Sequence, residues 1–310
     1  MTNASRAAKT VPTPVDAVIA RVRAVYGSWS RSTSTEQMRR DWDALFDASP
    51  VAATIESLSA GGVNAEWVRT PAARREQAVL YLHGGGFKIG SVRSHRELMA
   101  NISRAAGCCV LGLDYRLAPE SRFPAALEDV LACYEWLRSE GYEPGDIAFA
   151  GDSAGAGLAL SALLALRDTG RPLPAAAVLM SPWTDLTASG PSYESRADAD
   201  PINRRAAVLA MARAYLGPDG NARAPSASPL FGDLAGLPPL LIQVGDREIV
   251  LSDSTALAEK ARAAGVEVTL GIFAGMIHVF QQFPAELVEA REALRSAGEF
   301  LKARWVQSGA

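Results

Sequence analysis

Six short apolar runs, each separated from the next by a stretch of helical periodicity, constrain this chain more than any other feature. They are Ala78–Leu82, Cys109–Leu113, Ile147–Ala150, Ala177–Met180, Leu240–Val244 and Val266–Leu270. Near-continuous apolar runs of this length suit strands covered on both faces, as in a parallel sheet. Helical patterns lie between or after them at Arg96–Ala106, Ala125–Glu140, Ala154–Thr169, Ser254–Ala264 and Ala285–Trp305. Alternation at this spacing predicts an α/β fold, with a mostly parallel central sheet flanked by helices on both faces. Upstream, Val15, Val18, Ile19, Val22, Val25 and Tyr26 recur at helix spacing, and Trp42, Leu45 and Phe46 give a second apolar face, so residues 15 to 47 read as helical. Residues 53–58 and 65–68 flank Gly61-Gly62 as a β-hairpin. Residues 184–238 hold no clear strand, are rich in Pro, Gly, Ser and Asp, and contain one helical pattern at Arg204–Leu216. An excursion of roughly 50 residues inside an α/β core reads as a lid or functional insertion.

Composition narrows the function. Hydrophobic residues make up 48% of the chain and charged residues 21%, which excludes wholesale disorder. Lys and Arg number 31 against 34 Asp and Glu, so no basic excess points to nucleic acid or an anionic membrane. No stretch approaches the roughly 18 apolar residues of a membrane span. Met1–Pro14 has no apolar core and is not read as a secretory signal. The three cysteines, Cys108, Cys109 and Cys133, form no CxxC and read as buried small apolar residues in a reducing compartment. A cytoplasmic protein without metal or cofactor is expected. The only histidines are His83, His95 and His278, so any imidazole chemistry can be assigned by elimination.

The chemistry centres on Gly151-Asp152-Ser153-Ala154-Gly155, a G-x-S-x-G directly after one predicted strand and directly before a predicted helix. A nucleophilic serine needs that context: a tight strand-to-helix turn exposes its hydroxyl, small neighbours avoid clashes, and the helix N-terminus faces a developing oxyanion. His83-Gly84-Gly85-Gly86-Phe87 follows the strand Ala78–Leu82. Its glycines can turn N–H groups into a cavity as the other half of an oxyanion hole, and neither dinucleotide nor P-loop spacing is met. In a fold of this kind the order along the chain is nucleophile, acid, histidine. His278 alone lies beyond Ser153, which makes it the candidate base. His83 reads as a loop-stabilising residue and His95 as part of a solvated helix start. The acid must follow the strand Leu240–Val244, where Asp246, Glu248 and Asp253 all stand within reach.

These motifs resemble those of the bacterial hormone-sensitive-lipase-like esterases, in the subgroup with a GDSAG nucleophile motif. The residues that carry the resemblance are His83–Gly86, Asp114-Tyr115-Arg116-Leu117-Ala118-Pro119-Glu120, Phe123–Asp129, Gly151–Gly155 and Gly275–His278, in family order over about 200 residues. The resemblance implies an α/β-hydrolase fold. It implies Ser153 as nucleophile, His278 as general base, and Gly85, Gly86 and the N–H of Ala154 as the oxyanion hole. Residues 1 to about 50, with part of 184–216, would form a helical cap over a catalytic domain spanning 51–310. The Asp114–Glu120 stretch would tie its loop beneath the site. For the acid, the resemblance favours Glu248 over the alternative Asp246. Glu248 stands 30 positions before His278 and Asp246 32, and Gly245, Glu248 and Leu251 match the subgroup's Gly-x-x-Glu-x-x-Leu. One departure is His278-Val279-Phe280, where the family often reads His-Gly-Phe.

The expected activity is hydrolysis of short- to medium-chain carboxylic esters, small-molecule substrates, through an acyl-enzyme. Lactone hydrolysis is a variant of the same chemistry. A non-catalytic binder related to the plant hormone receptors of this fold would have lost the base, whereas His278 is present. A homodimer is expected through the strand Val266–Leu270, because a last strand presents an open edge and relatives resemble dimers built there.

Overall fold

The computed structural model describes residues 13–46 and 52–308. The reading of the first twelve residues and the cap boundary near residue 50 lie outside this range. Helix α1 (Pro14–Ser28) starts at Thr13, whose side chain accepts from the Asp16 N–H while the Asp16 carboxylate accepts from the Thr13 N–H. This reciprocal cap satisfies two orphan donors. Helix α2 (Thr35–Phe46) follows. The helical region expected over residues 15–47 is made of these two helices. Ser30 and Thr33 break it by bonding to each other's main chain, Ser30 N to Thr33 Oγ1 at 2.9 Å and Thr33 N to Ser30 O at 3.1 Å. Strands β1 (Thr54–Ala60) and β2 (Val63–Arg69) form the hairpin, and Gly61 and Gly62 turn it at φ 60° and 88°, values open to glycine.

The α/β core then runs β3 (Arg74–Leu82), α3 (Val92–Ala106), β4 (Cys108–Leu113), α4 (Ala125–Ser139), β5 (Ile147–Asp152), α5 (Ala154–Asp168) and β6 (Ala176–Met180). It continues through a four-residue helix α6 (Ser192–Ser195), α7 (Arg205–Leu216), β7 (Leu240–Gly245), α8 (Leu251–Ala263), β8 (Val268–Phe273) and α9 (Val288–Ser308). Several boundaries differ from expectation. Helix α3 begins four residues early because Ser91 caps it, accepting from Ser94 N. Strand β8 lies later than 266–270 because it pairs in register with β7, Leu240 facing Val268 and Gly245 facing Phe273. Helix α8 begins at Leu251 rather than Ser254, and α9 at Val288 rather than Ala285.

The eight strands form one sheet in the order β1-β2-β4-β3-β5-β6-β7-β8. Pairs β1/β2 and β2/β4 are antiparallel and every later pair is parallel. Alternate residues of the strands feed opposite layers. Leu80, Leu82, Leu111, Phe149 and Leu179 pack with α4, α5 and α8. Val79, Tyr81, Val110, Ala148 and Val178 pack with α3 and α9. A third apolar cluster joins Val18, Ile19 and Val22 of α1 and Trp42 of α2 to Ile89, Met276, Ile277 and Phe280. It seats the first two helices over the carboxyl ends of the strands, where open α/β sheets hold their ligands. Among the described residues no helix is long and apolar enough to cross a membrane.

Candidate active site

The turn from β5 to α5 carries Ser153 at φ 52° and ψ −118°, a conformation that L residues rarely adopt. Its surroundings over-determine it. Ser153 N donates to Met180 O at 2.9 Å, and Ser153 O accepts from Gly157 N and Trp183 N. The turn needs glycine at position 155 because a Cβ there would collide with the carbonyl oxygens of Leu82 and His83 at the end of β3. The effect of this close approach is to hold the hydroxyl above the sheet, next to the glycine loop.

In that loop Gly85 has φ 111° and a Cβ on it would run into the Ile89 carbonyl. Its own carbonyl accepts from Lys88 N and Ile89 N. The Gly85 and Gly86 N–H groups donate to no acceptor among the described residues, and Ala154 opens a helix whose first N–H groups have no intrahelical partner. Gly85, Gly86 and Ser153 line one cavity.

His278 Nε2 lies 2.8 Å from Ser153 Oγ, and His278 Nδ1 lies 2.7 Å from Glu248 Oε2. Glu248 is fully buried. Its other oxygen accepts from Gly245 N at 2.5 Å and from Ser181 Oγ at 2.8 Å. Burial works against a charged His278, yet the hydrogen bond and charge of Glu248 outweigh it and raise the imidazole above its ordinary value. Asp246 faces away, with its Oδ1 accepting from Gly275 N at 2.8 Å. Asp253 stands in the first turn of α8 and takes the N–H groups of Thr184 and Asp185. Burial pushes its carboxyl up to about 7, with those two N–H bonds opposing.

The structure corrects the reading of His95 as a solvated residue. It is 1% exposed, with Nε2 3.3 Å from Asp152 Oδ1 and Nδ1 3.0 Å from Ser91 O. The earlier start of α3 puts it on the inward stripe with Val92, Met99 and Ile102, while Arg93 points outward. That i, i+3, i+7, i+10 pattern was available in the sequence. Asp152 has a position that motif reading did not assign. Its Oδ1 accepts from Tyr81 Oη at 2.6 Å and from Gly84 N at 2.9 Å, so the carboxylate next to Ser153 also pins the glycine loop. Burial would raise the Asp152 carboxyl, but His95 outweighs it and lowers it, and Asp152 in turn raises His95 against its own burial. His83 does stabilise its loop. Burial, with His95 adding, pushes it down to about 3, and the neutral ring uses Nδ1 toward Gly84 O at 2.7 Å. In the loop after β4, Asp114 Oδ1 accepts from Val92 N at 2.7 Å, and Arg116 pairs with Asp129.

Ser181 is a second residue missed by motif reading. Its hydroxyl donates to Glu248 and accepts from Val279 N at 3.1 Å. Val279 sits at φ 51° in the left-handed region. This gives a physical reason why glycine suits the position after His278, since a β-branched residue pays a steric penalty there.

Three helices supplied by the N-terminal region and the 184–238 excursion close the cavity. Val22 and Tyr26 of α1, Trp42 of α2, and Val208 and Met211 of α7 face Ser153 across it. A second cavity adjoins the first and shares Tyr26, Ile89, Ile202, Asn203, Val208 and Met211 with it. Arg23 Nε binds Pro201 O at 2.7 Å and Arg39 Nε binds Lys88 O at 2.9 Å, tying α1 and α2 to the rim.

Comparison with known proteins agrees with this architecture. Residues 79–282 match the family described as alpha/beta hydrolase fold. An acetyl-hydrolase of Streptomyces hygroscopicus is 49% identical over 79% of this chain and 81% of its own length. An esterase of Acinetobacter venetianus is 38% identical over 83% of this chain and 84% of its own. The crystal structure of an esterase from the bacterial hormone-sensitive lipase family superposes with a TM-score of 0.91 at 47% identity, covering 94% of this chain and 98% of that one. With its eight-stranded, mostly parallel sheet and its strand-turn-helix serine, this chain belongs to the α/β-hydrolase family, among the bacterial hormone-sensitive-lipase esterases, and is a carboxylic ester hydrolase.

Proposed function

We propose that the protein is a serine carboxylesterase that cleaves short- to medium-chain acyl esters through Ser153, His278 and Glu248. The observation that carries this reading is the unbroken relay from Ser153 Oγ to His278 Nε2 and from His278 Nδ1 to Glu248 Oε2, beside Gly85 and Gly86 N–H groups that have no acceptor among the described residues. His278 takes the Ser153 proton as the hydroxyl attacks the ester carbonyl. Glu248 holds the Nδ1–H tautomer and stabilises the imidazolium that forms. The N–H groups of Gly85, Gly86 and Ala154 receive the oxyanion, each such donor being worth about 3 kcal/mol in the transition state. His278 then protonates the departing alcohol, and water attacks the acyl-enzyme by the same route in reverse.

The cavity beside Ser153 supports a small acyl group. It is about 60 Å³, on a scale where one water needs about 10–15 Å³. In this reading α1, α2 and part of α7 act as a cap that shapes the cavity, and residues from about 51 onward form the catalytic domain. We also propose a homodimer through β8 and, on its three free and buried cysteines, a cytoplasmic location. The nucleophile is tested with a fluorescent alkylphosphonate and peptide mass mapping. The adduct is expected on Ser153, and Ser153→Ala should fold but release no p-nitrophenol beyond background. An adduct on another serine would overturn the assignment.

A further inference from the structure

The glycine loop carries a phenylalanine at a position that favours glycine. Gly85, Gly86 and Phe87 run in succession at φ 111°, 63° and 60°. An L residue in the left-handed region meets a steric penalty that glycine avoids, so the contacts of the Phe87 side chain must offset it. Phe87 is 2% exposed, and its ring lies flat on that of Tyr215 in α7, with centroids 3.7 Å apart and planes within 5°. One helical turn earlier, Met211 packs on the neighbouring glycine, since a Cβ on Gly86 would collide with its Sδ. Residues four apart share one helix face, so a single face of α7 grips two consecutive residues of the loop. The stretch after β4 closes the arrangement: Ala118 N donates to Phe87 O and Phe123 N to Tyr215 O, each at 2.8 Å.

The earlier part of the loop is aimed by hydrogen bonds. Gly84 N donates to Asp152 Oδ1, and the Gly85 carbonyl accepts from Lys88 N and Ile89 N. Gly86 has no main-chain hydrogen bond among the described residues, so its neighbours and the packing of Met211 set its direction. We infer that Tyr215 is a positioning residue for the oxyanion hole: through Phe87, and with Met211 bearing on Gly86, α7 aims the Gly86 N–H as well as walling the cavity. This rests on the function proposed above, in which Gly86 is an oxyanion donor. Such donors work only at about 2.7–3.1 Å from the developing charge, and a misplacement of about 1 Å can cost about 10²-fold in rate. Neither Phe87 nor Tyr215 lines the cavity beside Ser153, so a change at Tyr215 reaches the reaction through the loop rather than through substrate contact. The relay of Ser153, His278 and Glu248 uses no residue of α7, so loosening the stack misaims the hole and spares the relay.

The test uses Tyr215→Leu, with Tyr215→Phe as the variant that keeps the ring. Phe87→Leu breaks the stack from the other side and serves if the first variant fails to fold. Each is assayed on p-nitrophenyl butyrate and against two ketones of equal length, 1,1,1-trifluorohexan-2-one and hexan-2-one. With the activated ketone, Ser153 Oγ bonds to the carbonyl carbon, the serine proton passes to His278, and the carbonyl oxygen becomes an oxyanion in the hole. The plain ketone binds without that step. Tyr215→Leu should lower kcat by about 10–10²-fold with KM within about threefold of wild type. It should weaken the trifluoroketone by a similar factor, as a transition-state mimic requires, while hexan-2-one binds within about threefold of wild type. Tyr215→Phe should match wild type throughout. Leucine variants that keep kcat within about threefold overturn the inference. So does an equal loss of both ketones, which would mark a general distortion of the pocket. A wild-type protein that neither hydrolyses the ester nor binds the trifluoroketone would instead remove the underlying esterase reading.

Discussion

Replacing Glu248 by glutamine should leave the fold nearly unchanged and almost abolish turnover, and the geometry says why. Oε1 of Glu248 already accepts two donors, Gly245 N and Ser181 Oγ, while Oε2 faces His278 Nδ1. The single carbonyl oxygen of a glutamine is held in the Oε1 position by those two donors. Its NH2 group must then point at His278 Nδ1, which can accept only if it carries no proton. The imidazole is thereby locked in the Nε2–H tautomer, and Nε2, 2.8 Å from Ser153 Oγ, has no lone pair with which to take the serine proton. The equivalent tautomer reversal in a serine protease triad lowers kcat about 10⁴-fold, or about 5.5 kcal/mol in activation free energy. The assay is kcat on p-nitrophenyl butyrate across pH, with thermal unfolding as the folding control. His278 must be neutral to act, so activity rises with pH through its pKa. Burial lowers that pKa and Glu248 raises it with the larger net effect. The rising limb should therefore move to lower pH in whatever residual activity the variant keeps. Asp246→Asn, whose carboxylate only caps Gly275 N, should retain turnover within about tenfold, as a surface turn residue does. A Glu248→Gln enzyme within tenfold of wild type, or an Asp246→Asn enzyme as impaired as expected for Glu248→Gln, would refute the reasoning.

Asp152→Ala should lower kcat by about 10–10²-fold and reduce stability, because Gly84 N and Tyr81 Oη lose their acceptor and the oxyanion loop its anchor; stopped assays with differential scanning calorimetry would show both, and an unaffected kcat would count against the anchoring role. Asp253 is raised from 3.8 to about 7 by burial, so the folded state holds its proton more tightly than the unfolded one and stability is lost as pH climbs between those values, by on the order of a few kcal/mol. Asp253→Asn should flatten this decline and melt higher than wild type at pH 8, and a lower melting temperature there would contradict the account. Ile272 on the edge strand β8 is 50% exposed, and Ile272→Lys should convert the proposed dimer to monomer by light scattering, whereas a wild-type monomer at micromolar concentration would remove the dimer itself. Removing residues 1–46 takes Val22, Tyr26 and Trp42 off the cavity; the acyl-length profile should broaden, and an unchanged profile would exclude these helices from substrate selection.

Periodicity carried the fold a long way. Runs such as Ala78–Leu82 and Ile147–Ala150 are buried on both faces, and a continuous apolar run is the direct signature of that environment. Boundaries were less legible where a side chain overrides the pattern, as when Ser91 caps α3 early or Ser30 and Thr33 interrupt the first helical stretch. Around the site, the elbow serine and the glycine loop are local motifs whose backbone demands can be read from glycines and small residues. Asp152 and Ser181 escaped because nothing in their neighbours' identities announces a bond to Gly84 or to Glu248. His95 could have been seen, since its stripe with Val92 and Met99 is periodic, but its two flanking arginines suggested water.

The order of strands and helices, the placement of a serine on a strand-to-helix turn, and the uniqueness of a histidine beyond it belong to the sequence alone. They depend on local sterics and on burial patterns that repeat every two or 3.6 residues. Tertiary structure decided which of two carboxylates on one turn meets His278. Asp246 and Glu248 are two residues apart, and only the packing of Gly275 and Ser181 against that turn sends the first outward and the second inward. It also decided that Tyr215 stacks on Phe87. Hydrogen bonds act over about 3 Å, and whether residues far apart in the chain come that close is a property of the packed fold, not of any window of sequence.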